Sequence, residues 1–145
     1  MSETRPVRTG RRVGVHDGLM RTFLRVLLGL ALVFAGTSHL TFARREFRAQ
    51  VPDFVPLSED ATVLASGIAE IGLGSALVVA PSRSRRAVGT VVALFFVAVF
   101  PGNVSQWLNR RDAFGLDSDE KRIARLFGQP LLVAAALWST RERRS

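Results

Sequence analysis

Four side chains could do chemistry in an otherwise apolar setting: His39, Glu70, Asn103 and Gln129. Each one interrupts a separate hydrophobic run of the chain. An imidazole and a carboxylate can exchange protons, and carboxamides can orient a polar ligand through hydrogen bonds. If these runs cross a membrane, an ionised Glu70 would cost roughly 2.5–3.5 kcal/mol on insertion scales. Glu70 must then be protonated, paired or hydrated.

The hydrophobic runs predict an all-α fold, a four-transmembrane-helix bundle. No charge lies between Arg25 and Arg44, a stretch of about 27 Å as a helix, which is close to the thickness of a bilayer core. The fourth run is the weakest, because its apolar part covers only about 21 Å and needs Arg125 to extend its head group towards the membrane surface. A three-span protein with a final interfacial helix is the alternative. The predicted spans are residues 22–42, 61–80, 87–108 and 123–139.

Basic residues set the predicted orientation, because cytoplasmic loops carry an excess of arginine and lysine. With four spans, one side holds twelve basic residues against three acidic ones, and the other side is balanced. We therefore expect both termini in the cytoplasm, with residues 1–20 as a disordered basic arm and residues 141–145 as a basic tail. The net charge of +8 has this explanation, so we expect a lipid bilayer and no nucleic acid as partner.

The four polar residues are expected at a similar depth. Alternate spans run in opposite directions, and this places all four residues between the midplane and the outer surface. Gly67, Glu70 and Gly74 lie within about 60° on one helical face, where small residues would let a neighbouring helix approach closely. Further along the chain, Pro101 predicts a kink that opens a pocket. We expect that pocket to bind a ligand, with lining residues His39, Glu70, Asn103, Gln106, Trp107 and Gln129.

Structural roles remain open for the same residues. Glu70 could tie helices together, Asn103 could satisfy the backbone near Pro101, and His39 could be an interfacial cap. Arg122 and Arg125 share a helical face with Gln129, so either could counter Glu70 or bind an anion, or lie in water. The apolar 43–60 loop is expected to fold back at the outer surface as a short amphipathic lid.

Several kinds of site are not expected. The absence of cysteine excludes iron–sulfur ligation by this chain. A bis-histidine haem is not expected either, since His16 lies in the cytoplasmic arm, on the opposite side from His39. These are the only histidines, and His39 with Glu70 is too small a set for a metal. No catalytic residue set is recognisable, so the chain is not expected to be an enzyme by itself.

Several segments resemble the DoxX-like family of bacterial membrane proteins, in matching order and spacing over about residues 22–139. The last proline follows Gln129 here, and Gly102 stands where that family has alanine. The similar segments are Phe34-Ala35-Gly36-Thr37-Ser38-His39 with Phe54-Val55-Pro56, Ser66-Gly67-Ile68-Ala69-Glu70-Ile71-Gly72-Leu73-Gly74, Val99-Phe100-Pro101-Gly102-Asn103-Val104, and Arg125-Leu126-Phe127-Gly128-Gln129 with Leu137-Trp138.

The resemblance implies a four-helix, multi-pass protein of the bacterial inner membrane, with His39, Glu70, Asn103 and Gln129 as the family's polar positions. Some such proteins are linked to thiosulfate–quinone oxidoreduction and others to oxidative-stress complexes. The resulting hypothesis is a non-catalytic subunit of an envelope redox or stress system that binds a quinone or another small ligand, beside a redox-enzyme partner. Two alternatives remain. One is a small proton-coupled transporter that works as a homo-oligomer, and the other is a purely structural assembly partner.

Overall fold

The computed structural model describes residues 10–48, 50–110 and 118–141, and over these ranges it contains helices and no strands. Four helices are long, and one short helix follows the first of them. In chain order they are α1 (Gly10–Leu40), α2 (Arg44–Arg48), α3 (Glu59–Val79), α4 (Ser82–Leu108) and α5 (Asp119–Ser139). The all-α class predicted from the sequence is confirmed for this part of the chain.

Three helices within the described ranges are long and apolar enough to cross a membrane: Val15–Leu40, Glu59–Val79 and Ser82–Leu108. Large apolar side chains such as Phe23, Phe34 and Leu94 are exposed on their outer faces. In water such a surface would be unfavourable, whereas lipid tails solvate it without penalty. The chain is therefore a membrane protein with three such helices. α5 is not among them, since charged residues occupy its first two turns.

Three of the long helices begin well before the predicted spans: α1 at Gly10, α4 at Ser82 and α5 at Asp119. α1 begins at Gly10, so the predicted disorder of residues 10–20 is corrected to helix, while residues 1–9 and 142–145 lie outside the described ranges. Extending an existing helix needs no new nucleus, and this outweighs the glycines that suggested disorder. α5 begins four residues before the predicted start, because Ser118 accepts a hydrogen bond from the backbone N–H of Lys121 and caps the helix.

The helices pack as two close pairs, α1 with α3 and α4 with α5, and α1 also contacts α5. Glycines let α1 and α3 approach closely: a Cβ on Gly36 would lie 2.5 Å from the carbonyl oxygen of Gly67. Likewise, a Cβ on Gly29 would lie 2.7 Å from the carbonyl oxygen of Gly74. The predicted burial of the Gly67–Glu70–Gly74 face is confirmed. An apolar cluster that includes Leu77, Val92 and Ala136 fills the centre between the pairs.

Ion pairs fasten α2 and the following segment to the start of α3. Arg44 binds both carboxylate oxygens of Asp60, with 2.7 Å between Nε and Oδ1, and Arg48 Nε lies 3.7 Å from Glu59 Oε2. Residues 50–58 return to α3 through turns. We call residues 44–55, without the undescribed residue 49, the lid. The lid begins with the short helix α2. It folds back over the long helices, as the sequence predicted for the 43–60 loop.

Candidate functional site

A cavity of about 760 Å³ lies between the two helix pairs beneath the lid. This is the size range of sites for small organic ligands. Most of its wall is aliphatic or aromatic, with side chains from all four long helices. A few polar side chains interrupt that wall: His39, Gln50, Thr62, Ser66, Glu70, Asn103, Arg125 and Gln129. The cavity thus combines an apolar body with a small set of groups that could orient a ligand.

His39 and Glu70 form a buried pair between α1 and α3. The Nδ1 atom of His39 lies 2.9 Å from Oε2 of Glu70, and their side chains are only 5% and 11% exposed. The close approach of Gly36 and Gly67 brings the backbones near enough for this contact. Phe47 of the lid stands edge-on to the imidazole and shields it. Glu70 is therefore in close polar contact with His39, although its Oε2 makes no hydrogen bond among the described residues.

Asn103 and Gln129 form a second polar pair, between α4 and α5. Asn103 Nδ2 donates to Gln129 Oε1 over 2.7 Å, and Gln129 Nε2 donates to the carbonyl oxygen of Phe96 over 2.8 Å. Phe96 lies in the turn before Pro101, whose missing N–H removes the helical partner of the next carbonyl along, that of Val97. Gln129 of α5 thus bonds the backbone of this turn, a role that the sequence had left open for Asn103.

Arg125 of α5 is half-buried and lines the cavity. Its guanidinium donates to Oε1 of Gln50 over 3.2 Å and lies within electrostatic range of Glu70. Of the two arginines considered from the sequence, Arg125 is the one that lines the cavity with Glu70. Arg122 is buried elsewhere, where it binds Oδ1 of Asp119 over 2.9 Å.

Gln50 was not anticipated as a site residue. The lid places its side chain on the cavity wall, and its Nε2 is buried without a hydrogen-bond partner among the described residues. The same holds for Nε2 of His39. Oε2 of Glu70 is a third buried atom on this wall without a hydrogen bond among the described residues. Buried polar atoms almost always have partners, so three such atoms on one cavity indicate groups that a bound molecule would satisfy. No spacing rule could have identified Gln50, because its position depends on how the lid folds.

The structure brings four of the six predicted ligand residues to this cavity: His39, Glu70, Asn103 and Gln129. It does not bring Gln106 or Trp107 there. Both lie about one helical turn, or about 5.4 Å, beyond Asn103, where Gln106 is buried and Trp107 is partly exposed. The wall on the α4 side ends near Pro101, Gly102 and Asn103, which lie close to the lid at Gln50. The predicted lining is therefore corrected for these two residues, and a binding role for the other four stays a prediction.

Comparisons with known proteins give a family without a described activity. No curated protein and no solved structure matches the chain. One family model matches residues 28–140, a range that contains every polar residue of the cavity, two of the three apolar helices in full and the second half of the first one. The chain therefore belongs to this family, which is described as a domain of unknown function (DUF8561).

Proposed function

We propose that this chain is a DoxX-like, multi-pass protein of the bacterial inner membrane whose cavity binds the headgroup of a quinone or a similar small amphiphile. In this proposal α5 is the fourth span of a four-helix bundle and both termini are cytoplasmic. The resemblance of the segments around His39, Glu70, Asn103 and Gln129 supports the assignment. So does the basic side of the membrane domain, which carries Arg83, Arg85 and Arg86 in the first turns of α4.

One observation carries the binding function: the Nε2 atoms of His39 and Gln50, which have no hydrogen-bond partner in the described ranges, lie on the walls of a single apolar cavity. Such a cavity suits a molecule with a hydrophobic body and a polar head, because the body fills the wall and the head satisfies the buried atoms. In an envelope redox or oxidative-stress system, the chain would hold the ligand beside a redox-enzyme partner and would not itself catalyse the reaction.

The test compares two matched substitutions, each purified and placed in lipid nanodiscs. Glu70→Gln changes a carboxylate on the cavity wall, whereas Glu120→Gln makes the same change at an exposed position of α5 outside the cavity. Binding of decylubiquinone in both redox forms is measured against empty nanodiscs, which report partition into lipid alone. We expect Glu70→Gln to weaken binding of at least one form about tenfold or more, the loss of about 1.4 kcal/mol.

Unchanged affinity in Glu70→Gln would remove the cavity as the binding site. If the wild-type protein binds neither form and Glu70→Gln only lowers its melting temperature in detergent, the chain is a structural assembly partner. In that case the polar residues fix helix packing.

A proton-coupled transporter is the second candidate, favoured by the burial of Glu70 beside a titratable imidazole. A transporter predicts a flux across proteoliposomes that depends on a pH gradient and falls in Glu70→Gln. Background flux in such a gradient would dismiss it.

A further inference from the structure

We infer that the ligand of this cavity binds as a hydrogen-bond donor to Nε2 of His39, which selects hydroxyl-bearing amphiphiles of the phenol or hydroquinone class. This inference rests on the proposed binding function and specifies its chemistry. It predicts that a headgroup with a hydroxyl is preferred over one that offers only carbonyl or ether oxygens.

The first step concerns the proton on His39 Nδ1. Two groups approach this atom: Oε2 of Glu70 at 2.9 Å and the hydroxyl oxygen of Ser66 at 3.5 Å. Ser66 donates its own proton to the carbonyl oxygen of Val63 over 3.1 Å, so it faces the imidazole as an acceptor. Both neighbours of Nδ1 are acceptors, and the proton of a neutral imidazole therefore resides on Nδ1.

The second step concerns the charge of the imidazole. Arg125 and Glu70 line the same cavity, so one cation accompanies the one carboxylate there. A further positive charge on the imidazole would be costly among apolar helices, where the dielectric constant is low. The uncharged imidazole is the form that suits this wall, and its Nε2 presents a lone pair.

The third step concerns what that lone pair lacks. Nε2 of His39 is buried and has no hydrogen-bond partner in the part of the chain that the structure describes. A ligand hydroxyl would donate to it and satisfy its lone pair. A ligand carbonyl would instead place two acceptors against each other and leave Nε2 of His39 unsatisfied, a penalty of the kind that rejects ligands lacking a required donor.

The lid supplies the complementary group. Arg125 donates to Oε1 of Gln50, which fixes the carboxamide so that its Nε2 is the free donor. A hydroxyl oxygen can accept from such a donor while its proton goes to an acceptor. Phenols and hydroquinones carry both capacities in one headgroup, and their rings and tails suit the apolar wall. The geometry thus favours the reduced form of a quinone couple.

The experiment uses 4-heptylphenol and 4-heptylanisole, two probes with the same ring and tail. In the second, a methyl group replaces the hydroxyl proton. Affinities are measured in nanodiscs and corrected for partition into empty discs. We expect the wild-type protein to prefer the phenol about tenfold or more, and His39→Phe to reduce that preference to about onefold. Gln50→Leu should weaken both probes by a similar factor, because either oxygen can accept from Gln50, while the preference for the phenol persists.

The outcomes separate the two proposals. Equal binding of the two probes, or tighter binding of the anisole, would overturn the donor inference and leave the binding function intact. No binding of either probe to the wild-type protein, together with no binding of decylubiquinone, would overturn both.

A second measurement does not depend on how His39→Phe folds. The chain has two histidines, so nitrogen NMR of ¹⁵N-histidine-labelled protein gives two sets of ring signals, and His16→Gln assigns them. His16 is exposed, and this substitution leaves the cavity intact. We expect His39 to show a protonated Nδ1 and an unprotonated Nε2. A proton on Nε2 in the ligand-free protein would overturn the inference.

Discussion

Gly67 of α3 lies directly against His39 of α1, so closely that a Cβ on residue 67 would come within 2.8 Å of the Cβ of His39. The same glycine lets α1 and α3 approach near Gly36, where a Cβ on Gly67 would lie 3.0 Å from a carbonyl oxygen. Helix packing and the position of the buried imidazole thus both depend on the absence of a side chain at Gly67, together with the other glycines of the α1–α3 contact.

Gly67→Ala should therefore push α1 away from α3 and lower the free energy of unfolding by about 1–3 kcal/mol, the usual cost of overpacking. The measurement is thermal unfolding in detergent, followed by circular dichroism. Gly72→Ala is the matched control on the same helix, since its Cβ would meet nothing within 4 Å. That change should be neutral or stabilise by up to about 1 kcal/mol through helix propensity. Equal melting temperatures for the two variants would contradict the packing role of Gly67.

The sequence was sufficient for the apolar helices and for four of the cavity's polar residues. A polar side chain in an apolar run is rare enough to be conspicuous, and the alternating direction of the helices brings His39, Glu70, Asn103 and Gln129 together. Helix ends were predicted less well. Hydropathy marks where a helix is apolar, but α1 and α5 continue into polar sequence, which hydropathy does not follow.

Gln50 and Phe47 could not have been predicted as site residues. Their side chains reach the cavity only because the lid folds back over it, and that conformation depends on contacts between distant residues, such as Arg44 with Asp60. Gln106 and Trp107 show the opposite error. Helical spacing placed them on a plausible face, but spacing gives no information on where along the helix the cavity ends.

The pair of carboxamides between α4 and α5 should be measurable as a coupling energy. Asn103→Leu and Gln129→Leu each remove one partner of the 2.7 Å hydrogen bond, and the double variant removes both. We expect a coupling of about 0.6–1.7 kcal/mol, the range of hydrogen bonds between membrane helices. Gln129→Leu should cost more than Asn103→Leu, because it also removes the hydrogen bond to the carbonyl oxygen of Phe96. Strict additivity in the double-mutant cycle would show that the pair contributes nothing.

The ion pair between Arg44 and Asp60 should hold the lid without contributing much to global stability. The two side chains are 38% and 43% exposed, and exposed pairs contribute about 0.2–1 kcal/mol. We expect Arg44→Gln to speed hydrogen exchange over the lid several-fold, while the melting temperature changes little. Arg45→Gln, an exposed position on the same short helix, is the control and should leave exchange unchanged. High salt should reduce the difference between wild type and Arg44→Gln, because it screens the pair. Identical lid exchange in both variants would refute this role.

Arg25 should be needed to complete the end of α3. Its buried guanidinium donates to the carbonyl oxygens of Leu77 and Val78 in the last turn of α3. Carbonyl groups in the last turn of a helix have no intrahelical partners. Arg25→Met keeps much of the side-chain volume but leaves these oxygens unpaired, and we expect a loss of about 1–3 kcal/mol in unfolding free energy. Arg86→Met removes the same charge from an exposed position and should cost far less. A similar loss in both variants would mean that charge, and not the hydrogen bonds, matters.

The proposed topology can be tested with single cysteines, because the chain has none of its own. Four exposed positions mark the ends of the helices: Thr41 after α1, Ser82 at the start of α4, Glu120 at the start of α5 and Arg141 after it. A membrane-impermeant maleimide added to intact spheroplasts and to inverted vesicles should label Thr41→Cys and Glu120→Cys only from the periplasmic side. Ser82→Cys and Arg141→Cys should react only from the cytoplasmic side, where arginines accumulate. Labelling of residues 120 and 141 from the same side would show that α5 does not cross the membrane and lies at its surface. The three apolar helices would then be the only spans among the described residues, and the cavity would be closed on one side by an interfacial helix.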